Sequence, residues 1–229
     1  MKLMKFLALS YLLLLVACGS SGGQETVAAL GKAHLSSALV GASVQVLDER
    51  GQPVTTAART TDAAGIFDVD LPRGHRSRFR VVVKGGTYEG KPFLDTLLLD
   101  VDHFDPATGV LYANAATTLI SRYMDRHPGA NVADASAKVK KFLMIPLTSD
   151  AGFNVDNPLQ NYFRHEKLLA DMQASGETRL DNYLWGLVAE IDAGVASHVF
   201  ARSALLGGGI DSIVGSLLKF LGKELGKEA

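Results

Sequence analysis

The spacing of apolar residues changes once along this chain, and that change constrains its fold more than any other feature. From Ala38 to Asn114, apolar and polar residues alternate in short runs, as in Ser43–Leu47, where Val44 and Val46 fall on one face. After Asn114, apolar residues recur every three or four positions, which is the period of an amphipathic helix. We therefore predict an α+β protein in which an N-terminal antiparallel β-sandwich precedes a C-terminal α-helical region.

Clusters of Gly, Pro and Asp separate the short runs of the first half, at residues 49–53, 61–65 and 72–74. Short strands at this spacing are typical of a sandwich. The predicted strands cover residues 43–47, 54–60, 66–71, 79–84, 94–101 and 110–112. The predicted helices cover residues 115–125, 134–143, 166–174, 180–200 and 210–225.

Residues 1–17 have the features of a secretory signal peptide. Lys2 and Lys5 precede an apolar run from Phe6 to Val16. That run is shorter than the roughly 20 apolar residues that a membrane-spanning helix needs. The segment is therefore predicted to direct export and then to be removed.

The run Leu15-Val16-Ala17-Cys18 resembles a bacterial lipobox, and Cys18 is the only cysteine of the chain. The resemblance implies a diacylglyceryl thioether on Cys18 and usually a further N-acyl chain. Two or more acyl chains hold a protein stably on a membrane. Many Gram-negative lipoproteins that stay at the inner membrane carry Asp after the cysteine, whereas this chain carries Gly19. We therefore expect a protein anchored by lipid in the bacterial cell envelope, at the outer membrane where the host has one.

The chain is thus predicted to comprise five segments. The signal peptide is followed by a lipidated cysteine and Gly/Ser-rich tether, with a short helical stretch near Val27–Leu35. After the tether come the β-sandwich, the helical region, and finally a glycine hinge with an amphipathic helix. The predicted bounds are residues 1–17, 18–37, 38–114, 115–206 and 207–229.

Three runs in the β half resemble the transthyretin-like, carboxypeptidase-regulatory-like β-sandwich family. They are Gly41-Ala42-Ser43-Val44-Gln45-Val46, Thr60-Thr61-Asp62-Ala63-Ala64-Gly65-Ile66-Phe67 and Val81-Val82-Val83. In the second run, Asp62 can accept backbone hydrogen bonds across a turn, Gly65 can adopt a positive φ, and Phe67 can fill the core. The resemblance implies the fold and no particular function. The runs Lys84-Gly85-Gly86-Thr87-Tyr88 and Ala116-Thr117-Thr118-Leu119 are also similar to bacterial lipoproteins in which this sandwich precedes a helical region.

The sequence lacks the usual signatures of several function classes. No two of the six histidines stand at i and i+4, the spacing that zinc proteases place on a helix. No Gly-x-Ser-x-Gly run is present, and neither glycine run, at residues 85–86 or 207–209, ends in the Lys-Ser/Thr of a phosphate loop. A net charge of -1 gives no electrostatic reason to expect nucleic acid as a partner.

Four aspartates form the most site-like cluster: Asp95, Asp100, Asp102 and Asp105. Carboxylates a few residues apart can supply oxygen ligands to Ca²⁺. Counted from Asp100, however, the acids fall at positions 1, 3 and 6, whereas an EF-hand loop has acids at 1, 3 and 5 and Gly at 6. The cluster is predicted either to bind calcium or to form a solvated strand end.

Aromatic residues also allow two interpretations. Those of the β half either fill the core or line a surface for a carbohydrate or peptide; they are Tyr88, Phe93, Phe104 and Tyr112. In the helical region one stripe is predicted to be core: Tyr183, Leu184, Trp185, Leu187, Val188 and Ile191.

The last predicted helix carries an apolar stripe of seven aliphatic residues: Ile210, Ile213, Val214, Leu217, Leu218, Leu221 and Leu225. Such a stripe must be buried, because each aliphatic side chain contributes about 1.5–3 kcal/mol when it leaves water. The helices of the same chain, a partner or second copy, and the membrane surface are the three alternatives.

The preferred function is a non-catalytic binding or scaffolding module held at the membrane through Cys18, with an envelope protein, a glycan or a surface polymer as its partner. Two alternatives stay open. One is a membrane-active protein that uses the C-terminal helix. The other is an envelope enzyme whose site is assembled from distant residues, for which Asp102 and His103 are the nearest candidates.

Overall fold

The computed structural model describes residues 25–55, 59–75, 77–104, 109–143 and 168–194. This part of the chain has the predicted α+β composition, with strands followed by helices. The strands are β1 (Thr26–Ala33), β2 (Leu39–Val40), β3 (Ser43–Asp48), β4 (Arg59–Thr60), β5 (Ile66–Pro72), β6 (Phe79–Lys84), β7 (Thr87–Tyr88), β8 (Lys91–Pro92), β9 (Thr96–Val101) and β10 (Leu111–Ala113). The helices are α1 (Ala115–Arg126), α2 (Val132–Phe142), α3 (residues 168–174) and α4 (Leu180–Asp192).

The strands form two larger sheets and one small one. The four-stranded sheet has the order β4-β3-β6-β9, and every neighbouring pair in it is antiparallel. In the three-stranded sheet, of order β10-β1-β5, β1 pairs antiparallel with β5 and parallel with β10. The small sheet has the order β2-β7-β8.

Both larger sheets contribute alternate residues to one hydrophobic core, an arrangement compatible with a β-sandwich. In β3 the predicted inward residues Val44 and Val46 are fully buried. In β5 the inward residues are Phe67, Val69 and Leu71. The period-two pattern therefore located the buried face of these strands correctly.

The prediction of a tether over residues 18–37, with a helical stretch at Val27–Leu35, is wrong for its described part. Residues from Thr26 to Ala33 form β1, the central strand of the three-stranded sheet. Its inward positions carry small residues, which is why the run resembles a linker. The small residues are needed there because the ring of Phe67 occupies the space beside Gly31.

The predicted turn of residues 61–65 is confirmed. The Asp62 carboxylate accepts hydrogen bonds from the backbone N–H groups of Ala64 and Ile66, each at 2.8 Å. Gly65 has a φ of +74°, and Phe67 is 2% exposed. The remaining strand predictions differ mostly at their ends, except that 54–60 shortens to Arg59–Thr60, with residues 56–58 outside the described part.

Strand β9 is buried on both faces because helix α1 covers its outer side. The Leu98 N–H donates to Thr118 Oγ1 at 2.9 Å, which joins the strand directly to the helix. Helix α1 begins after Asn114, whose side chain accepts from the Thr117 N–H, while Thr117 Oγ1 accepts from the Asn114 N–H. This capping box fixes the point at which the chain turns from β10 into the helix.

The helices pack around α1, which contacts both α2 and α4. The predicted helices 115–125 and 134–143 are confirmed within two residues at each end. The prediction 180–200 is confirmed from Leu180 to Asp192 but is too long, because residues 193–194 form a turn in which Gly194 has a φ of +65°. Of the predicted α4 stripe, Tyr183, Leu184, Leu187 and Val188 are buried. Within the described ranges, no helix has both the length and the hydropathy to span a membrane. The C-terminal segment 207–229, with its apolar stripe, lies outside the described residues.

Candidate functional site

The aspartates predicted to bind calcium do not gather into one site among the described residues. The Asp95 carboxylate accepts hydrogen bonds from Arg179 Nε at 2.9 Å and from the Leu180 N–H at 3.1 Å. It therefore holds the start of α4, whose N-cap Arg179 supplies no side-chain cap of its own.

Asp102 likewise holds the start of helix α2, since its carboxylate accepts a hydrogen bond from the Val132 N–H at 3.1 Å. The extended strand between Asp95 and Asp102 separates them by roughly 20 Å, so they cannot share one ion. Asp105 lies outside the described residues. The described part of the chain holds no group of three or more potential metal ligands, and the described aspartates of the cluster have protein partners.

Asp100 belongs to an ion-pair network. Arg80 donates from Nε and Nη2 to the Asp100 carboxylate, with Nη2 to Oδ2 at 2.7 Å, and its Nη1 lies 2.7 Å from Asp125 Oδ1. Burial is the largest influence on the pKa of Arg80 and lowers it, but the hydrogen bonds and charges of Asp100 and Asp125 outweigh burial and raise the pKa above its ordinary value. Arg80 therefore remains charged at every working pH.

The network continues through Arg122 on α1. Its Nη1 lies 3.1 Å from Asp125 Oδ2, and its Nε and Nη2 lie 2.7 and 2.6 Å from Asp181 Oδ1 on α4. The same guanidinium lies over the ring of Trp185, with 5.5 Å to the ring centroid. We call this the interface network; its members are Arg80, Asp100, Asp125, Arg122 and Asp181.

The interface network suits the joining of elements better than proton transfer. Each of its carboxylates is paired with a guanidinium, which does not release its proton in proteins. The bonds run from β9 and β6 through α1 to α4 and so hold the helices against the four-stranded sheet. Sequence reasoning missed the network because its members lie on four different elements.

A second contact missed in the sequence joins the ends of α1 and α4. His127 Nε2 lies 2.7 Å from Asp192 Oδ1, and Arg126 Nε lies 2.5 Å from Asp192 Oδ2. The histidine and the arginine thus contact different oxygens of the same carboxylate. Asp102 and His103, the nearest candidates for a catalytic pair, have different surroundings. Asp102 accepts a hydrogen bond at the start of α2, whereas His103 is exposed.

The aromatic residues of the β half do not share one surface. Phe93 is 9% exposed and belongs to the core. Phe104 contacts Phe79 edge to face, with 6.2 Å between ring centroids. The hydroxyl of Tyr88 forms a hydrogen bond with Ser36 Oγ. Burial is the main cause that raises the pKa of Tyr88.

A cleft of about 390 Å³ opens between the turn after β3 and the end of α1. Arg80, Asp100 and Asp125 of the interface network line it. The other lining residues are Leu47, Asp48, Glu49, Gly51, Arg78, Phe79, Met124, Pro128 and Ala130. The lining of the cleft thus mixes apolar residues with charged residues of both signs.

The outer face of the three-stranded sheet mixes exposed apolar residues with charged ones, since Leu30 pairs with Asp68 and Ile66 pairs with Lys32 across its strands. Leu30 of β1 is 52% exposed, Ile66 of β5 is 38% exposed, and Val110 before β10 is 37% exposed. Because Lys32 pairs with Ile66 and Gly31 pairs with Leu111, these three residues lie near one another on adjacent strands. We call this surface the outer sheet face.

Neither a family model nor a curated protein matches this sequence. The function is therefore inferred from the sequence and the geometry of this chain. Two features bear on it: the outer sheet face, and the short distance in sequence between Cys18 and the start of β1.

Proposed function

We propose that this protein is a lipid-anchored protein of the bacterial cell envelope that acts as a non-catalytic binding or scaffolding module. The lipobox at Cys18 and the signal peptide before it support the anchor. Gly19 favours the outer membrane in a host that has one.

The early start of the fold supports action at the membrane surface. Strand β1 begins at Thr26, the eighth residue after Cys18. A chain spans at most about 3.6 Å per residue, so Thr26 lies within about 30 Å of the acylated cysteine. A domain held this close to a membrane meets its partners there at a high effective concentration.

The transthyretin-like, carboxypeptidase-regulatory-like fold is part of the same proposal. The Asp62 turn, the positive φ of Gly65 and the buried ring of Phe67 support it, because these are the features that the family pattern requires. In that family the sandwich is an accessory domain, which agrees with a role in binding.

The outer sheet face is the single observation that carries the binding role. Leu30 and Ile66 expose aliphatic side chains on the sheet whose central strand begins eight residues after Cys18. Exposed apolar residues that cluster on one surface mark sites of protein–protein contact. Exposed apolar side chains flanked by charged ones, here Lys32 and Asp68, are typical of protein–protein interfaces, so we propose another envelope protein as the partner.

The anchor is tested by metabolic labelling with an alkyne-bearing fatty acid. Cys18→Ala should abolish labelling and release the protein from the membrane fraction, because the acyl chains supply the stable attachment. Ser21→Ala is the matched control and should keep both. A Cys18→Ala protein that is exported and still sediments with membranes in high salt would contradict the anchor.

The binding role is tested by photo-crosslinking in cells, with a photoreactive amino acid in place of Lys32 on the outer sheet face. We expect a discrete crosslinked partner that is lost when Leu30→Asp and Ile66→Asp are combined. Leu94→Asp is the matched control, because Leu94 is 69% exposed but lies outside this face. Loss of the partner with Leu94→Asp as well, or its retention in the double variant, would contradict the assignment of the face.

A further inference from the structure

The chain enters the fold at one end of the β region. Thr26, the first residue of β1, pairs with Pro72, the last residue of β5. The Arg73 N–H donates to the Glu25 carbonyl at 2.7 Å, and Arg73 Nη1 lies 2.7 Å from Glu25 Oε2. The turn after β5 is therefore bound to Glu25, the described residue nearest to Cys18 in sequence.

One end of the four-stranded sheet lies beside the start of β1 and the end of β5. Asp48 at the end of β3 pairs with Phe79 at the start of β6, and Phe79 pairs with Val101 at the end of β9. Residues of both sheets line a hollow of about 160 Å³ there. Its walls are Val27, Leu71, Pro72, Gly74, His75, Phe79 and Phe104.

We call this end of the molecule the anchor end; it comprises residues 25–27, 48–51, 72–75, 77–79 and 101–104. The turn of Asp62–Gly65 lies at the other end of β1, because Ile66 pairs with Lys32. Strand β1 has eight residues, and its rise of about 3.4 Å per residue places the two ends roughly 24 Å apart.

The surface chemistry of the anchor end combines paired charges with an apolar recess. Arg73 pairs with Glu25, and both side chains are about 70% exposed. Arg78 Nε lies 3.9 Å from Glu49 Oε1. A headgroup that carries both a phosphate and an amine presents the matching pair of charges to such a surface, and the hollow accepts apolar contact below them.

We propose that the anchor end rests on the bilayer that carries the lipid anchor and contacts zwitterionic phospholipid headgroups. This inference rests on the proposed lipid anchor at Cys18. Glu25 is the seventh residue after Cys18, so their Cα atoms lie within about 25 Å of each other whatever path the chain takes. The other end of β1, at Ala33, lies roughly 24 Å further along the strand from Thr26.

The orientation has a consequence for the rest of the molecule. The charged cleft shares Phe79 with the hollow and is lined by Asp48, Glu49, Gly51 and Arg78 of the anchor end, so this part of the cleft lies near the headgroups. The outer sheet face runs along β1, away from the membrane plane, and stays open to a protein partner.

The test uses fluorophores at two single cysteines in the full acylated chain, whose only natural cysteine is blocked by lipid. Ser77→Cys places the label at the anchor end, and Ala63→Cys places it in the far turn; both residues are exposed. The proteins are reconstituted in phosphatidylethanolamine and phosphatidylglycerol vesicles that contain lipids with a nitroxide on the headgroup. Flotation first shows whether each protein is anchored.

We expect several-fold stronger quenching at position 77 than at position 63. Equal quenching at both positions, or stronger quenching at position 63, in protein that floats would overturn the orientation and leave the anchor standing. Failure of the acylated protein to float would overturn the anchor and the orientation together.

Charge reversal separates headgroup contact from simple proximity. Arg73→Glu with Arg78→Glu should reduce quenching at position 77, because both acidic partners then lose their cations and repel phosphate. Lys91→Glu, an exposed change in the β7–β8 hairpin, is the matched control and should leave quenching unchanged. Equal effects of the two changes would overturn the headgroup contact.

Discussion

The ring of Phe67 lies directly against Gly31 on the neighbouring strand. The two residues are opposite each other in the register of β1 and β5, and a Cβ added at Gly31 would come within 2.1 Å of Phe67 Cζ. The glycine therefore makes room for the largest side chain that β5 buries, and the pair joins β1 to the core.

Substitution at either member of this pair should destabilise the fold. We expect Phe67→Ala to cost about 3–5 kcal/mol in free energy of unfolding, because a buried ring is lost and a cavity remains. Gly31→Ala should also destabilise, and should cost less in a Phe67→Leu background, where the ring no longer occupies the space. Urea unfolding of the single and double variants measures the coupling. Gly129→Ala meets nothing within 4 Å and is the control; additive effects of Gly31→Ala and Phe67→Leu would contradict the packing.

Two glycines with the same backbone conformation separate strain from steric clash. Gly65 and Gly51 both have a φ of +74°, but a Cβ would meet the Ala33 carbonyl oxygen at 2.4 Å only at Gly65, since Gly51 faces open space. Gly51→Ala should cost about 1–2 kcal/mol for the left-handed conformation alone. Gly65→Ala should cost clearly more, because the backbone must also move. Thermal and urea unfolding compare them, and equal losses would show that the turn of residues 62–65 does not pack against β1.

The interface network should depend strongly on Asp100. The Asp100 side chain is 4% exposed and that of Arg80 is 26% exposed, so Asp100→Ala leaves a guanidinium that is only partly solvated. We expect Asp100→Ala to lower the free energy of unfolding by about 3 kcal/mol. This is at the lower end of the range for breaking a buried ion pair, because Asp125 still pairs with Arg80. Arg73→Ala breaks the exposed pair with Glu25 and should cost under about 1 kcal/mol. Chemical denaturation in low and high salt measures both, and similar small losses would mean that the network does not hold the helices.

Glu177 should make helix α4 sensitive to acid. Its Oε1 accepts from the N–H groups of Arg179 and Thr178, and these two hydrogen bonds are the main cause that lowers the pKa of Glu177. A lowered pKa in the folded state means that the stabilisation is complete above the unfolded value near 4.5 and is lost as the pH falls through the folded value. The stability difference between wild type and Glu177→Gln should therefore shrink as the pH is lowered from about 6 to about 3. A difference that stays constant over this range would contradict the role of the charge.

Several elements of the fold could be predicted because their signals are local. Val44 and Val46 alternate with polar residues, and Asp62 and Gly65 stand at the positions that a turn requires. The stripe of α4 follows the helical period, and its buried residues were predicted from that period alone. In each case the residues that decide the structure lie within one turn or one strand of each other.

Other features depend on residues distant in sequence. Strand β1 resembles a linker in its Ala and Gly content, and only its pairing with β5 and β10 makes it the centre of a sheet. The aspartates of residues 95–102 resemble an ion site, but their partners are Arg80, Arg179 and the start of α2. A carboxylate can bind a metal, a guanidinium or a helix N-terminus, and its own neighbours in sequence do not decide among them.

The sequence by itself determined the α+β class, the buried faces of the regular strands and helices, and the expectation of a lipid on Cys18. These follow from periodicity, turn chemistry and a four-residue motif, which act over short stretches of chain. Only the tertiary structure decided that Thr26–Ala33 forms a central strand, that the aspartates join elements, and that Leu30 and Ile66 share an exposed face. Each of these depends on which distant segments pack together, because burial and ion pairing are properties of neighbours in space.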